Sequence, residues 1–202
     1  ADVLVGTQMI VKGHDFPNVT LVGVLAADLS LNDHDYRAGE RTFQLLTQAA
    51  GRAGRGEKPG EVVFQTYRPE HYSVVQAASQ DYTAFYEEEM VYRELGDYPP
   101  ASHMMAMLVT ASDEKRGEAL AIDVTKIAGE EQNINKEAGL RIIGPAKASI
   151  GKVNDIYRFV VYCKSADYER LISVKNRVEQ YLTGKELKQE AVQFDFNPID
   201  SY

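Results

Sequence analysis

The chain has 202 residues, long enough for one large domain or two small ones. Its formal net charge of −8 excludes a protein that grips nucleic acid by bulk charge, so any such contact must come from local patches. A single cysteine, Cys163, excludes a disulfide framework, and no apolar run reaches membrane-spanning length.

Val3-Leu4-Val5 reads as a short buried strand that breaks at Gly6-Thr7-Gln8. Ligands gather at the carboxyl edge of open α/β sheets, so that break is where a site is expected. Gly13 permits a sharp turn, and Asp15 brings a carboxylate suited to a ribose hydroxyl or an arginine. Thr20 to Ala27 predicts the next strand, ending at Asp28. Ser30 to Glu40 predicts an exposed loop, in which Asp33, His34 and Asp35 read as solvated residues rather than metal ligands. A helix is expected from about Thr42 to Gly51, packing through Phe43, Leu45 and Leu46, followed by a turn at Lys58-Pro59-Gly60 and a strand at Val62–Phe64.

That helix ends in Gln48-Ala-Ala-Gly-Arg-Ala-Gly-Arg55. Arg52 and Arg55 lie among small residues that let the backbone approach a neighbouring surface. Guanidinium forks match phosphate oxygens, which makes both arginines candidates for a phosphoryl-transfer site.

Residues 69–100 read as a helical linker, with Asp81 as a cap, Phe85, Met90 and Leu95 in the helix, and Glu87-Glu88-Glu89 as a wet face. Tyr98-Pro99-Pro100 marks its end. Residues 101–202 alternate strand and helix: His103–Ala111, a helix capped by Ser112 or Asp113, Leu140–Ile143, Ile156–Cys163, a helix through Leu171, Val174, Val178 and Tyr181, and a last strand through Val192, Phe194 and Phe196. The order βαββαβ predicts an α+β ferredoxin-like domain. Lys147, Lys152, Arg158 and Lys164 cluster around an expected loop from Pro145 to Tyr157, with Tyr157 and Phe159 interleaved. This mixture suits single-stranded DNA by charge and stacking. Cys163, in an apolar strand, reads as a buried structural thiol.

Gly6-Thr-Gln-Met-Ile-Val-Lys-Gly-His-Asp-Phe-Pro-Asn-Val19 resembles motif V of superfamily 2 helicases, and Gln48-Ala-Ala-Gly-Arg-Ala-Gly-Arg55 resembles their motif VI. With Lys12-Gly-His-Asp-Phe-Pro17, Gly60-Glu-Val-Val-Phe-Gln-Thr-Tyr67, Leu95-Gly-Asp-Tyr-Pro-Pro100 and Ile143-Gly-Pro-Ala146, the chain is similar to the primosomal protein N-prime (PriA) family of bacterial replication-restart DNA helicases. Near the end, Asn197 stands where that family often carries Asp.

The resemblance implies that residues 1–68 are the carboxy-terminal part of a RecA-like lobe with a mostly parallel sheet. It also implies an ATP-dependent 3′–5′ helicase in the full protein, acting at stalled or branched forks to start primosome assembly. Arg55 would be the principal arginine finger and Arg52 its partner, with Gln48, Asp15 and Gly13 at the nucleotide. Thr7, Gln8 and Lys12 would contact DNA in the helicase lobe, and Lys147, Lys152 and Arg158 in the terminal domain. ATP and Mg²⁺ are expected in the full protein, with zinc in an upstream insertion and no metal in this segment. Expected partners are forked and single-stranded DNA, single-stranded-DNA-binding protein, through Lys175 and Arg177 among others, and further primosome proteins. A cytoplasmic location is expected, with no membrane and no signal peptide. The sequence holds no Gly-x-x-x-x-Gly-Lys-[Ser/Thr] loop, so this segment is expected to be a carboxy-terminal fragment that hydrolyses no ATP alone. The rival readings are a RecG-like fork remodeller, an RNA helicase, or a non-enzymatic partner-binding module.

Overall fold

The computed structural model describes residues 2–7, 18–32, 35–134 and 139–202. It is a mixed α/β chain of two compact units, residues 1–91 and 92–202.

In the first unit, β1 (Leu21–Val24) pairs in parallel with β2 (Glu61–Phe64), Leu21 opposite Glu61 and Val24 opposite Phe64. Parallel strands need a long crossover, and here helix α1 (Ala38–Ala50) supplies it. Val24 and Phe64 turn one face of this two-stranded sheet toward a core of Ala27, Phe43, Leu46, Val74, Ala77 and Phe85. Leu21 and Val63 lie on the opposite face and are 60% and 49% exposed.

Helix α1 starts earlier than its sequence suggests. Asp35 accepts from the Arg37 amide at 3.0 Å and binds Arg41 at 2.8 Å. Asp35 is therefore a buried anchor for the first turn rather than a solvated loop residue, and Ala38 and Gly39 are buried. Asp33 and His34 lie outside the described residues. The expected strand at Val3–Val5 does not form: these residues pair with nothing in the sheet, and Val5 is 86% exposed. A strand requires a neighbouring ladder, and among the described residues none is offered to it.

The linker is two helices, α2 (Tyr72–Ser79) and α3 (Tyr82–Leu95). Asp81 caps α3 as expected, accepting from the Ala84 amide at 2.9 Å. The acidic run is not uniformly wet: Glu87 and Glu88 are exposed, but Glu89 is buried and accepts from the Tyr72 hydroxyl at 2.6 Å. Helical periodicity explains this, because Glu89 lies one turn from the buried Phe85, on the same face.

The second unit holds a four-stranded antiparallel sheet in the order β4-β5-β3-β6. Its elements are β3 (His103–Ala111), α4 (Glu114–Ile134), β4 (Arg141–Val153), β5 (Ile156–Ser165), α5 (Tyr168–Thr183) and β6 (Ala191–Phe196), which is the predicted βαββαβ order. Met105, Met107, Val109, Phe159, Val161 and Cys163 form one face of the sheet and pack against Leu120, Val124, Leu171, Val174 and Val178 of the two helices. Burial pushes the Cys163 thiol up to about 12. Glu131 ties the helices together. It is buried and accepts from Ser173 Oγ at 2.9 Å and from Arg177 Nη1 at 3.1 Å.

Asn197 ends β6 in the left-handed region at φ 49°. Its Oδ1 accepts from the Met104 amide at 2.9 Å. Aspartate offers the same acceptor and tolerates the same backbone, so either residue can close this turn.

His71 caps α2 by accepting from the Ser73 amide at 3.2 Å through Nδ1. Burial, and then Arg68, lower its pKa below 6.5. The folded state therefore binds fewer protons than the unfolded chain between that lowered value and 6.5. This contribution to stability is full above pH 6.5 and is lost as pH falls through the folded pKa. Urea unfolding of the 202-residue chain across pH 5–8 should show that slope, and His71→Asn, which caps without titrating, should flatten it.

Candidate nucleotide and nucleic-acid site

Because β1 and β2 are parallel, α1 must run back against them, and its carboxyl end reaches the amino edge of both strands. Two backbone bonds hold the loop there, from the Gly54 amide to the Val19 carbonyl at 3.0 Å and from the Glu61 amide to the Thr20 carbonyl at 2.8 Å. Arg52 and Arg55 thus stand at the amino edge, not at the carboxyl edge where a site is expected from the break at Gly6-Thr7-Gln8. The opposite edge is closed by Asp28, which accepts from the Tyr67 amide at 3.0 Å, and by Gln65, which accepts from the Ala26 amide at 2.7 Å.

Two glycines close the loop from Gly51 to Gly60. Gly54 has φ +71°, and a Cβ on Gly60 would lie within van der Waals overlap of the Gly54 amide. Only bare backbone permits this approach. Arg55 is exposed, and its Nε donates to the Gly51 carbonyl at 2.8 Å, which folds the side chain back over the helix end. Arg52 is half-buried in the same turn, and Gln48 is exposed one turn earlier on α1. The structure therefore brings Gln48, Arg52 and Arg55 to one helix terminus. Thr7 is exposed, outside any helix or strand. Gln8, Lys12, Gly13 and Asp15 lie outside the described residues.

The basic cluster of the second unit is divided by the sheet. What reads as a loop from Pro145 to Tyr157 is mostly β4, with a turn at Asn154-Asp155 where both residues have positive φ. Lys147 pairs with Phe159 and Lys152 with Tyr157, so both belong to the helix-covered side. Arg158 is on the other side, where its guanidinium lies 5.9 Å from the Tyr202 ring centre. Lys147 binds Glu114, and Lys152 binds Asp155 at 2.9 Å. These carboxylates raise both lysine pKa values above the ordinary one. Such exposed pairs contribute little to stability. Phe159 is a core residue.

Lys164 leaves the cluster altogether. It is buried, donates to the Gly96 carbonyl at 2.7 Å and stands 3.2 Å from the Tyr98 ring centre. Burial pulls its pKa down to about 8. The alternating pattern of β5 could have shown that Lys164 and Arg158 share a face while Lys147 does not, had the length of β4 been legible. Lys175 binds Glu179 at 2.6 Å, and Arg177 binds Glu130 at 3.2 Å and Glu131. An acidic peptide would have to displace those carboxylates.

Among the described residues no three His, Cys, Asp or Glu side chains converge as metal ligands. Cys163, held protonated in the sheet, does not fit zinc. Among the described residues no helix is long and apolar enough to cross a membrane.

The first unit is an α/β crossover that presents two arginines, and the second is an antiparallel α+β unit. Residues 94–199 match the model of the primosomal protein N C-terminal domain, just over half of the chain. The chain is 45% identical over 199 residues to the replication restart protein PriA of Bacillus subtilis, covering 98% of this chain and 24% of that protein. It is 40% identical to the Synechocystis protein of the same name, over 89% of this chain and 21% of that one. The PriA of Chlamydia trachomatis is 35% identical over the whole chain and 26% of its own length. The chain belongs to the PriA replication-restart family and carries its C-terminal domain. It spans about a quarter of the length of these relatives.

Gly60→Ala should open the arginine loop at a cost of about 1–3 kcal/mol, since backbone rather than a flexible side chain must move. Limited trypsin digestion of the 202-residue chain would read this as faster cleavage after Arg52 and Arg55.

Proposed function

We propose that this chain is the carboxy-terminal part of an ATP-dependent 3′–5′ DNA helicase that recognises stalled or branched forks and initiates primosome assembly and replication restart. The observation that carries the reading is the convergence of Gln48, Arg52 and Arg55 at the amino edge of β1 and β2. In this reading residues 1–68 are part of a RecA-like lobe. The exposed Leu21 and Val63 support it, because parallel sheets are normally covered on both faces. The second unit is the ferredoxin-like domain, supported by its strand order.

ATP held by the rest of the protein would place its γ-phosphate against the arginine turn. Arg55 leaves the Gly51 carbonyl and turns to the γ-phosphate, where it offsets charge on the transferring group. Arg52 holds the turn or a second phosphate oxygen, and Gln48 hydrogen-bonds the nucleotide. Asp15 and Gly13 complete the ribose side. Mg²⁺ neutralises phosphate charge when bound. Its ligands and any zinc belong to other parts of the full protein.

Closure around the nucleotide and opening after hydrolysis would move the lobes while Thr7, Gln8 and Lys12 hold the tracking strand. Lys147 and Lys152 would exchange Glu114 and Asp155 for DNA phosphates, with Arg158 engaging the opposite side of the sheet. Single-stranded-DNA-binding protein and other primosome proteins are the partners this reading carries, in the cytoplasm.

In the full-length protein Arg55→Ala should lower DNA-stimulated ATP turnover by about 10³-fold or more while DNA affinity is kept. Unchanged turnover would favour a partner-binding module. Unwinding that requires an RNA strand would favour an RNA motor. The 202-residue chain alone should release no phosphate from ATP in a steady-state assay, and robust turnover by it would overturn the division of labour proposed here.

A further inference from the structure

The amino end of α1 is held as closely as its carboxyl end. Gly39 is in its first turn, and a Cβ there would collide with the Tyr72 hydroxyl and lie 2.9 Å from Glu89 Oε2. Side chains from α2 and α3 thus close on bare helix backbone. Arg37, the residue before the helix, offers no side-chain cap. The Glu89 carboxylate lies beside the first turn at Gly39, near the end of the helix where amides concentrate positive charge. Tyr72 donates to Glu89 at 2.6 Å and holds the carboxylate there. One turn further along α1, Phe43 stacks on Phe85 with ring centres 4.1 Å apart and planes 10° apart. Residues 39 and 43 on α1 face 89 and 85 on α3, so the two contacts are a turn apart on both helices. Together they fix the tilt and the rotation of α1.

We infer that Glu89, held by Tyr72, is a positioning residue for the arginine turn: the clamp at Gly39 sets where Gln48, Arg52 and Arg55 stand. The inference rests on the nucleotide reading above. Helix α1 rises about 20 Å at 1.5 Å per residue, so a tilt of about 3° at the clamp displaces its far end by about 1 Å. A misplacement of that size in a catalytic group costs up to about a hundredfold in rate.

The test uses DNA-stimulated ATP hydrolysis by the full-length protein, with wild type and Arg55→Ala in the same series. Tyr72→Phe keeps the ring and removes the donor; Glu89→Ala removes the acceptor and the charge. Each should lower kcat about tenfold to a hundredfold with KM for ATP unchanged. The double variant should be no worse than the single ones. Glu89→Gln, whose amide oxygen still accepts from Tyr72, should recover most of kcat. Val74→Ala, in the same core but outside the clamp, should lower the melting temperature and leave kcat intact. The inference is overturned if folded Tyr72→Phe and Glu89→Ala proteins keep wild-type kcat, or if kcat simply tracks melting temperature through Val74→Ala as well. Should Glu89→Ala not fold, Tyr72→Phe decides. A wild-type protein without ATPase activity would sink the nucleotide reading itself. An inactive Arg55→Ala beside a fully active Tyr72→Phe would sink only the clamp.

Discussion

Parallel pairing of β1 with β2 is the constraint from which the rest of the first unit follows. Two parallel strands cannot be joined by a tight turn, so the chain must cross back, and it does so as α1. The direction of that helix then delivers its end to the amino edge of the sheet. Gly54 and Gly60 let the return loop close on itself, and Val19 holds it.

The second unit solves a different problem. Its antiparallel sheet buries one face under α4 and α5, and the charges that sequence gathers into a single patch are distributed by the two-residue period of the strands. Lys147 and Lys152 are each met by a carboxylate nearby, in keeping with a chain whose net charge is −8. The positive charge of this unit is therefore local and paired rather than a standing field.

Much of this was legible beforehand. Met105, Met107 and Val109 alternate cleanly, and helix spacing at Leu171, Val174 and Val178 matches the buried stripe. Asp81 and Asp113 announce their helices by ordinary capping chemistry. The arginine turn was readable because glycine spacing signals a close approach. What escaped depended on partners distant in sequence. Glu89 looks like part of a solvated acidic run until Tyr72 is placed beside it. Lys164 looks like a surface cation until Gly96 and Tyr98 cover it. The length of β4 was hidden by Gly144 and Pro145, which interrupt the apolar pattern while the ladder continues past them in shifted register. The edge at which the two arginines lie could not be read from Gly6-Thr7-Gln8, because it is fixed by how α1 returns.

Cys163 gives the molecule a practical property. The single cysteine of these 202 residues is sealed inside the sheet and held as an unreactive thiol. A maleimide dye added to the native chain finds no thiolate to attack. Cysteines introduced at surface positions can thus be labelled singly or in pairs against a silent background, and the native sulfur becomes reactive only when the sheet comes apart.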